Sequence, residues 1–384
     1  MAMSNRDDYL LSLGGPDLVA WHRNNGVHRS ADEYLGLQRD LLVRGLRNTR
    51  LLYLDTNYWV RLRDAAIGRG SPEALKLLQT LRALVRSREA LCVSQLHSLL
   101  ELGRQTGDSL RASADLLDEL TEGVLLAAPH DLLLSECAEF VRAKVRREVG
   151  LNLSPWTRVG LMHRSALPDK LPGPATAAQK SVVFKAAIDS LWNASFNYLF
   201  AEFDWDTKSR LSFELDSEIF AKISQRKVEQ LARGLTRGQL RKGEFTTLVA
   251  DQLKPIFIAL LLEWHRERGF PEGIAALVRD VHITEITAVA NFAERTLGSL
   301  LPGVAIQTEL YVLKETNASR TKPLTTNDWV DWSLAAVALP YCDVFFTERS
   351  LAHRLRQELK ADVQYDCEVI GSIGDALAHF KVQS

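Results

Sequence analysis

One stretch constrains this chain more than any other: Leu51-Leu52-Tyr53-Leu54-Asp55-Thr56-Asn57-Tyr58-Trp59. A short, continuous apolar run that stops at turn-forming residues suits a strand buried on both faces of a parallel sheet. The residues after it carry a helical apolar spacing. In such sheets ligands bind outside the carboxyl ends of the strands, so Asp55 stands where chemistry is usually housed. The same residue has a plainer use, because Asp, Thr and Asn are all favoured helix N-caps. Both uses remain open on this stretch alone.

The alternation of strand and helix recurs. Tyr34, Leu35, Leu37, Leu41, Leu42 and Leu46 predict a helix between Ser30 and Arg47. Ser71-Pro72-Glu73 opens another, with serine as cap and proline in the first turn, running to about Arg88. Ala90–Val93 predicts a second strand that ends at Ser94, and the helix after it holds Glu101 among leucines. A charged helix over 108–120 and a third strand over Gly123–Ala127 complete the series, the signature of βαβ units and a parallel sheet. From Asp131 to Gly298 the pattern predicts helices over 131–148, 176–202, 213–233, 244–268 and 272–298, with no strand-like run. After a helix over 305–314 the alternation returns: helix 327–339, strand Asp343–Thr347, helix 350–360, strand Cys367–Ile370, helix 373–380. The expected organisation is a helical extension over 1–48, loosely packed in its first thirty residues, then an α/β domain in two parts, 49–130 and 301–384, around an all-α insertion over 131–300.

Composition removes several classes of function. The 384 residues are 46% hydrophobic and 25% charged, which is ordinary for a globular chain. A net charge of −1 leaves no global basic field, so contact with nucleic acid would fall to local patches. Cys92, Cys137, Cys342 and Cys367 are scattered, and the histidines do not complete metal-ligand spacings with them, which speaks against zinc and disulfide frameworks. Charge is mixed into the apolar runs of the first twenty residues, and the apolar run Ile256–Leu262 is far short of a membrane span. A cytoplasmic protein with no membrane partner is expected.

Acids and hydroxyls recur near the carboxyl ends of the expected strands: Asp55-Thr56-Asn57, Ser94 with Glu101, Asp328 with Asp331, and Thr347-Glu348. Carboxylates without cysteine or histidine suit a hard, oxygen-loving cation such as Mg²⁺ or Mn²⁺. Such an ion can activate water and stabilise charge on a phosphoryl oxygen, which makes phosphodiester hydrolysis the natural chemistry. In order along the chain these motifs resemble the PIN-like domain family. Leu51–Asn57 resembles its Asp-ended first strand, Val93–Leu102 its Ser-ended strand leading to a Glu, Asp331–Leu339 its Asp-led alanine-rich helix, and Asp343–Arg349 its Thr-ended strand with a closing acid. The resemblance implies a Rossmann-like PIN-type parallel sheet flanked by helices and a metal-dependent ribonuclease. Asp55, Glu101 and Asp331 would hold Mg²⁺ or Mn²⁺, Glu348 would be the fourth catalytic acid, and Thr56, Asn57, Ser94, Asp328 and Thr347 would support them. It also suggests a bacterial toxin or antiphage effector, an antitoxin or sensor protein as partner, and a homo-oligomer.

Each residue has a structural alternative. Glu101 could pair with Arg104, Asp328 could cap its helix, and His97 suits a buried structural role. Arg226, Lys227, Arg233, Arg237, Arg241 and Lys242 form a basic run that could track an RNA backbone or simply be a solvated helix face. The alternative function is a catalytically inactive PIN-like module that binds protein or RNA.

Overall fold

A computed structural model describes residues 17–25, 29–145, 154–161, 176–202, 235–248, 253–292, 301–316 and 326–382. The chain divides into two compact units. The first comprises Met1–Ala128, Ser154–Trp205 and Ile373–Ser384, and the second Pro129–Leu153 and Asp206–Ser372.

In the first unit, β1 (Arg50–Leu54) pairs in parallel with β2 (Ala90–Val93), with Tyr53 opposite Val93. Leu52, Tyr53, Leu54, Cys92 and Val93 are fully buried, which is why the run shows no polar alternation. Three helices pack on one another around this pair: Thr56–Ala66, Pro72–Arg86 and Gly107–Thr121. Their buried faces are supplied by Trp59 and Leu62, by Leu77, Leu78 and Leu81, and by Leu116, Leu117 and Leu120. Each such leucine contributes about 2 kcal/mol of burial. Ser71 caps the second helix by accepting from Ala74 N, as the Ser-Pro-Glu start predicts. The Ile373–Val382 helix packs against Pro72–Arg86, and Arg50 bonds His379 at 3.0 Å.

Two expectations fail here. The third strand, β3 (Val124–Leu126), does not continue the parallel pairing as a full ladder. It pairs antiparallel with β4 (Trp156–Arg158) and meets β2 through a single parallel bridge, Ser94 to Leu125. β4 lies in the segment expected to be all helix; three residues beside Pro155 are too few for a visible period, and β3 supplies the partner that makes them a strand. Of the start expected to pack loosely, only residues 17–25 and 29–30 are described. Residues 17–25 form a helix in which His22 is fully buried, bonding Asp189 Oδ2 at 2.8 Å, while Tyr34 donates to the other Asp189 oxygen at 2.6 Å.

In the second unit, β5 (Val344–Phe346) pairs in parallel with β6 (Glu368–Ile370), and Phe345 and Phe346 are fully buried. Its helices, Pro129–Val145, Arg237–Leu248, Lys254–Glu267, Glu272–Phe292 and Pro302–Thr316, share a core that includes Phe140, Phe257, Leu261 and Leu301. The Phe140 and Phe257 rings lie 5.6 Å apart. Glu136 is buried in this unit, accepting from Gly303 N at 3.1 Å and from the Tyr341 hydroxyl at 3.1 Å. Gly303 permits that approach, since a Cβ there would stand 3.0 Å from Glu136 Oε1.

The α/β class stands in its coarse form. The described residues are mostly helical, and each unit carries one pair of parallel strands flanked by helices, β1 with β2 and β5 with β6. The helix expected over 213–233 lies outside the described residues. Among the described residues no helix is long and apolar enough to cross a membrane.

Candidate functional site

The first unit brings Asp55 and Ser94 to the same end of one strand pair. Parallel pairing with Tyr53 opposite Val93 sends both chains out of the sheet together, so Asp55 and Ser94-Gln95 follow at the carboxyl end. Asp55 is 4% exposed. Its Oδ1 accepts from Tyr58 N at 3.2 Å and its carbonyl accepts from Trp59 N at 3.2 Å, so it is the N-cap of the Thr56–Ala66 helix. The cap and the strand-end position are one and the same residue. Capping occupies one carboxylate oxygen.

Around Asp55 and Ser94 the polar groups are buried to an unusual degree. Ser94, Gln95 and Ser98 are fully buried, and Ser94 Oγ, both amide atoms of Gln95, Ser98 Oγ and Thr56 Oγ1 have no hydrogen-bond partner among the described residues. A buried polar group left unsatisfied costs about 1–3 kcal/mol. Several at one strand end call for an explanation other than packing. Sequence reasoning picked out Thr56 and Ser94 but missed Gln95 and Ser98. The signal was present, since Gln95 and Ser98, with Ser94 and His97, interrupt the mainly apolar Ala90–Leu100 run. Glu101 lies on the Leu96–Leu102 helix, half-buried, and Asn57 is exposed.

The second unit holds the remaining candidates, described by themselves. Asp328 and Asp331 lie on the Thr326–Tyr341 helix, both half-buried. Asp328 accepts from Lys314 Nζ with both oxygens at 3.0 Å and has Arg354 at 3.8 Å, so its charge is already answered by two cations. Thr347 follows β5 and is buried, its N–H donating to Ile370 O at 2.9 Å. Glu348 is exposed at the start of the Arg349–His353 helix, where the Ser350 hydroxyl donates to it. Of the basic run, Arg226, Lys227 and Arg233 lie outside the described residues. Arg237 and Arg241 both approach Glu309, at 3.6 and 2.5 Å, and Lys242 is exposed.

A Mg²⁺ or Mn²⁺ ion needs several oxygen ligands at one point. Among the described residues no group of three or more His, Cys, Asp or Glu side chains is placed to hold a metal ion. What the first unit offers is a buried carboxylate, one of whose oxygens caps a helix, with hydroxyl and amide groups clustered at the same strand end. No family model, no curated protein and no solved structure matches this chain.

Proposed function

We propose that this chain is a nuclease of PIN-like type that hydrolyses RNA phosphodiester bonds, with Asp55 at the centre of its chemistry. The observation that supports it most is the buried Asp55 at the carboxyl end of β1, beside the unsatisfied hydroxyl and amide groups of Ser94, Gln95 and Ser98. A buried carboxylate oriented by the Tyr58 N–H can take a proton from an attacking water. The Thr56 and Ser94 hydroxyls and the Gln95 amide are donors suited to phosphoryl oxygens. Dependence on Mg²⁺ or Mn²⁺, a toxin or antiphage setting and an antitoxin or sensor partner belong to the same proposal by resemblance alone.

The test is cleavage of end-labelled single-stranded and structured RNA by the purified chain, with Mn²⁺ and with chelator. Cutting by the wild type and none by Asp55→Asn is the expected result. Equal residual cutting by both would mark the activity as contamination and remove the proposal. A second function has an observation of its own. Asp328 is neutralised by Lys314, which favours a non-catalytic module that binds RNA or protein. Calorimetric titration separates the two: RNA binding without tight Mn²⁺ uptake or cutting selects the module.

A further inference from the structure

The second unit holds a cavity of about 740 Å³ that the Asp55 chemistry does not use. Pockets for small molecules and cofactors run from about 300 to 1,000 Å³. Arg237 and Arg241 sit one turn apart on the Arg237–Leu248 helix, so both line the cavity from one face, and Phe245 continues that face one turn on. Glu309 of the Pro302–Thr316 helix holds both arginines, with Arg241 Nε at 2.5 Å. The remaining lining includes Glu358 from a π-helical turn, Arg354–Leu359, and Tyr365 from the Ala361–Tyr365 helix. Turns of the π type are rare and gather at functional sites. This one ends at Lys360, whose φ of 55° is a left-handed conformation that costs a residue with a side chain.

The charges decide what fits. Two arginines stand against two glutamates, so the lining has no net charge with which to hold a bare anion. An occupant must offer acceptors to the guanidiniums, donors to the carboxylates, and a flat apolar surface to Phe245 and Tyr365. A phosphorylated ribonucleoside offers all three, in its phosphate oxygens, its ribose hydroxyls and its base. Arginine forks match phosphate geometry, and a carboxylate commonly takes a ribose hydroxyl. We infer that this cavity is a ribonucleotide site, with phosphate at Arg237 and Arg241, ribose hydroxyls at Glu358 and the base against Phe245 and Tyr365. The nucleotide is either a free one or the end of an RNA chain.

The test is calorimetry on the full chain carrying Asp55→Asn, so that the outcome is independent of nuclease activity. The probes are ribonucleoside mono-, di- and triphosphates, the unphosphorylated nucleosides, inorganic phosphate and a short 5′-phosphorylated RNA. At least one ribonucleotide should bind saturably, with its nucleoside and inorganic phosphate about ten-fold weaker or more. Arg241→Ala should cost about ten-fold in affinity, and Glu358→Gln several-fold. Tighter binding of the RNA than of any mononucleotide assigns the site to an RNA end; the reverse order assigns it to a free nucleotide. The proposal falls if no ribonucleotide binds at millimolar concentration, or if inorganic phosphate binds equally well. It falls also if Arg241→Lys, which keeps the charge and loses the fork, binds like the parent while its circular dichroism is unchanged.

Discussion

Each unit carries one pair of short parallel strands, and the residues that leave the two pairs differ in kind. At the end of β1 and β2, Asp55, Ser94 and Gln95 are all buried, and the serine and glutamine side chains lack partners among the described residues. After β5 the chain offers a buried threonine and an exposed glutamate, and Asp328 on the preceding helix is already bonded to lysine. The same strand geometry thus serves two ends. Polarity that is buried and unanswered at β1 and β2 retains the capacity to act on a ligand, whereas polarity that is exposed or paired, as at Glu348 and Asp328, is accounted for by solvent and by the fold.

Four measurements put this contrast to the test. The largest effect is expected at Asp55. Asparagine caps a helix as well as aspartate does, so Asp55→Asn should leave thermal stability within about 0.5 kcal/mol and lower RNA cleavage by on the order of 10³-fold. A silent Asp55→Asn in both assays would reduce the residue to its cap. In the second unit the largest effect is on stability. Burial pushes the Glu136 carboxyl up from its ordinary 4.5 to about 7, against the opposing hydrogen bonds from Gly303 and Tyr341. Between those values the folded state holds a proton that the unfolded state has released, so stability falls as pH rises through the window. The loss should approach about 3 kcal/mol at the upper end, and chemical denaturation at pH 4.5 and pH 7.5 should show it vanish in Glu136→Gln.

Next comes the paired acid. Lys314→Met removes the main partner of Asp328 and should destabilise the second unit by about 2 kcal/mol, less than for a fully buried pair because both side chains retain some exposure. The smallest effect is at Ser94. Replacing an unsatisfied buried hydroxyl by hydrogen is nearly neutral or stabilising, so Ser94→Ala should change the unfolding free energy by no more than about 0.5 kcal/mol while lowering cleavage. A clear loss of stability would mean that the hydroxyl serves the fold.

What the sequence revealed depended on whether the physical signal was local. The two pairs of parallel strands were legible because continuous apolar runs beside turn formers have few other uses, and Ser71-Pro72 announces its helix by cap chemistry alone. β4 was not legible, since three residues become a strand only through the presence of β3. Asp55 was legible as a position but not as a role, because an N-cap and a strand-end carboxylate look identical in one dimension. Glu136 escaped entirely, and Arg237 and Arg241 were legible as basic residues but not as walls of a cavity. A lone glutamate on a helix says nothing of the Gly303 amide that will meet it, and the walls of the cavity come from segments more than a hundred residues apart in the chain, from Arg237 to Tyr365.

The helix Ile373–Val382 carries one more consequence. It belongs to the unit that holds β1, packing on Pro72–Arg86 and bringing His379 to Arg50. Synthesis on the ribosome is vectorial, so β1 and the helices around it emerge early and must wait through the whole second unit for this partner. The unit whose first strand emerges early is therefore completed late, and its nascent form leaves uncovered the part of Pro72–Arg86 that residues 373–382 pack on.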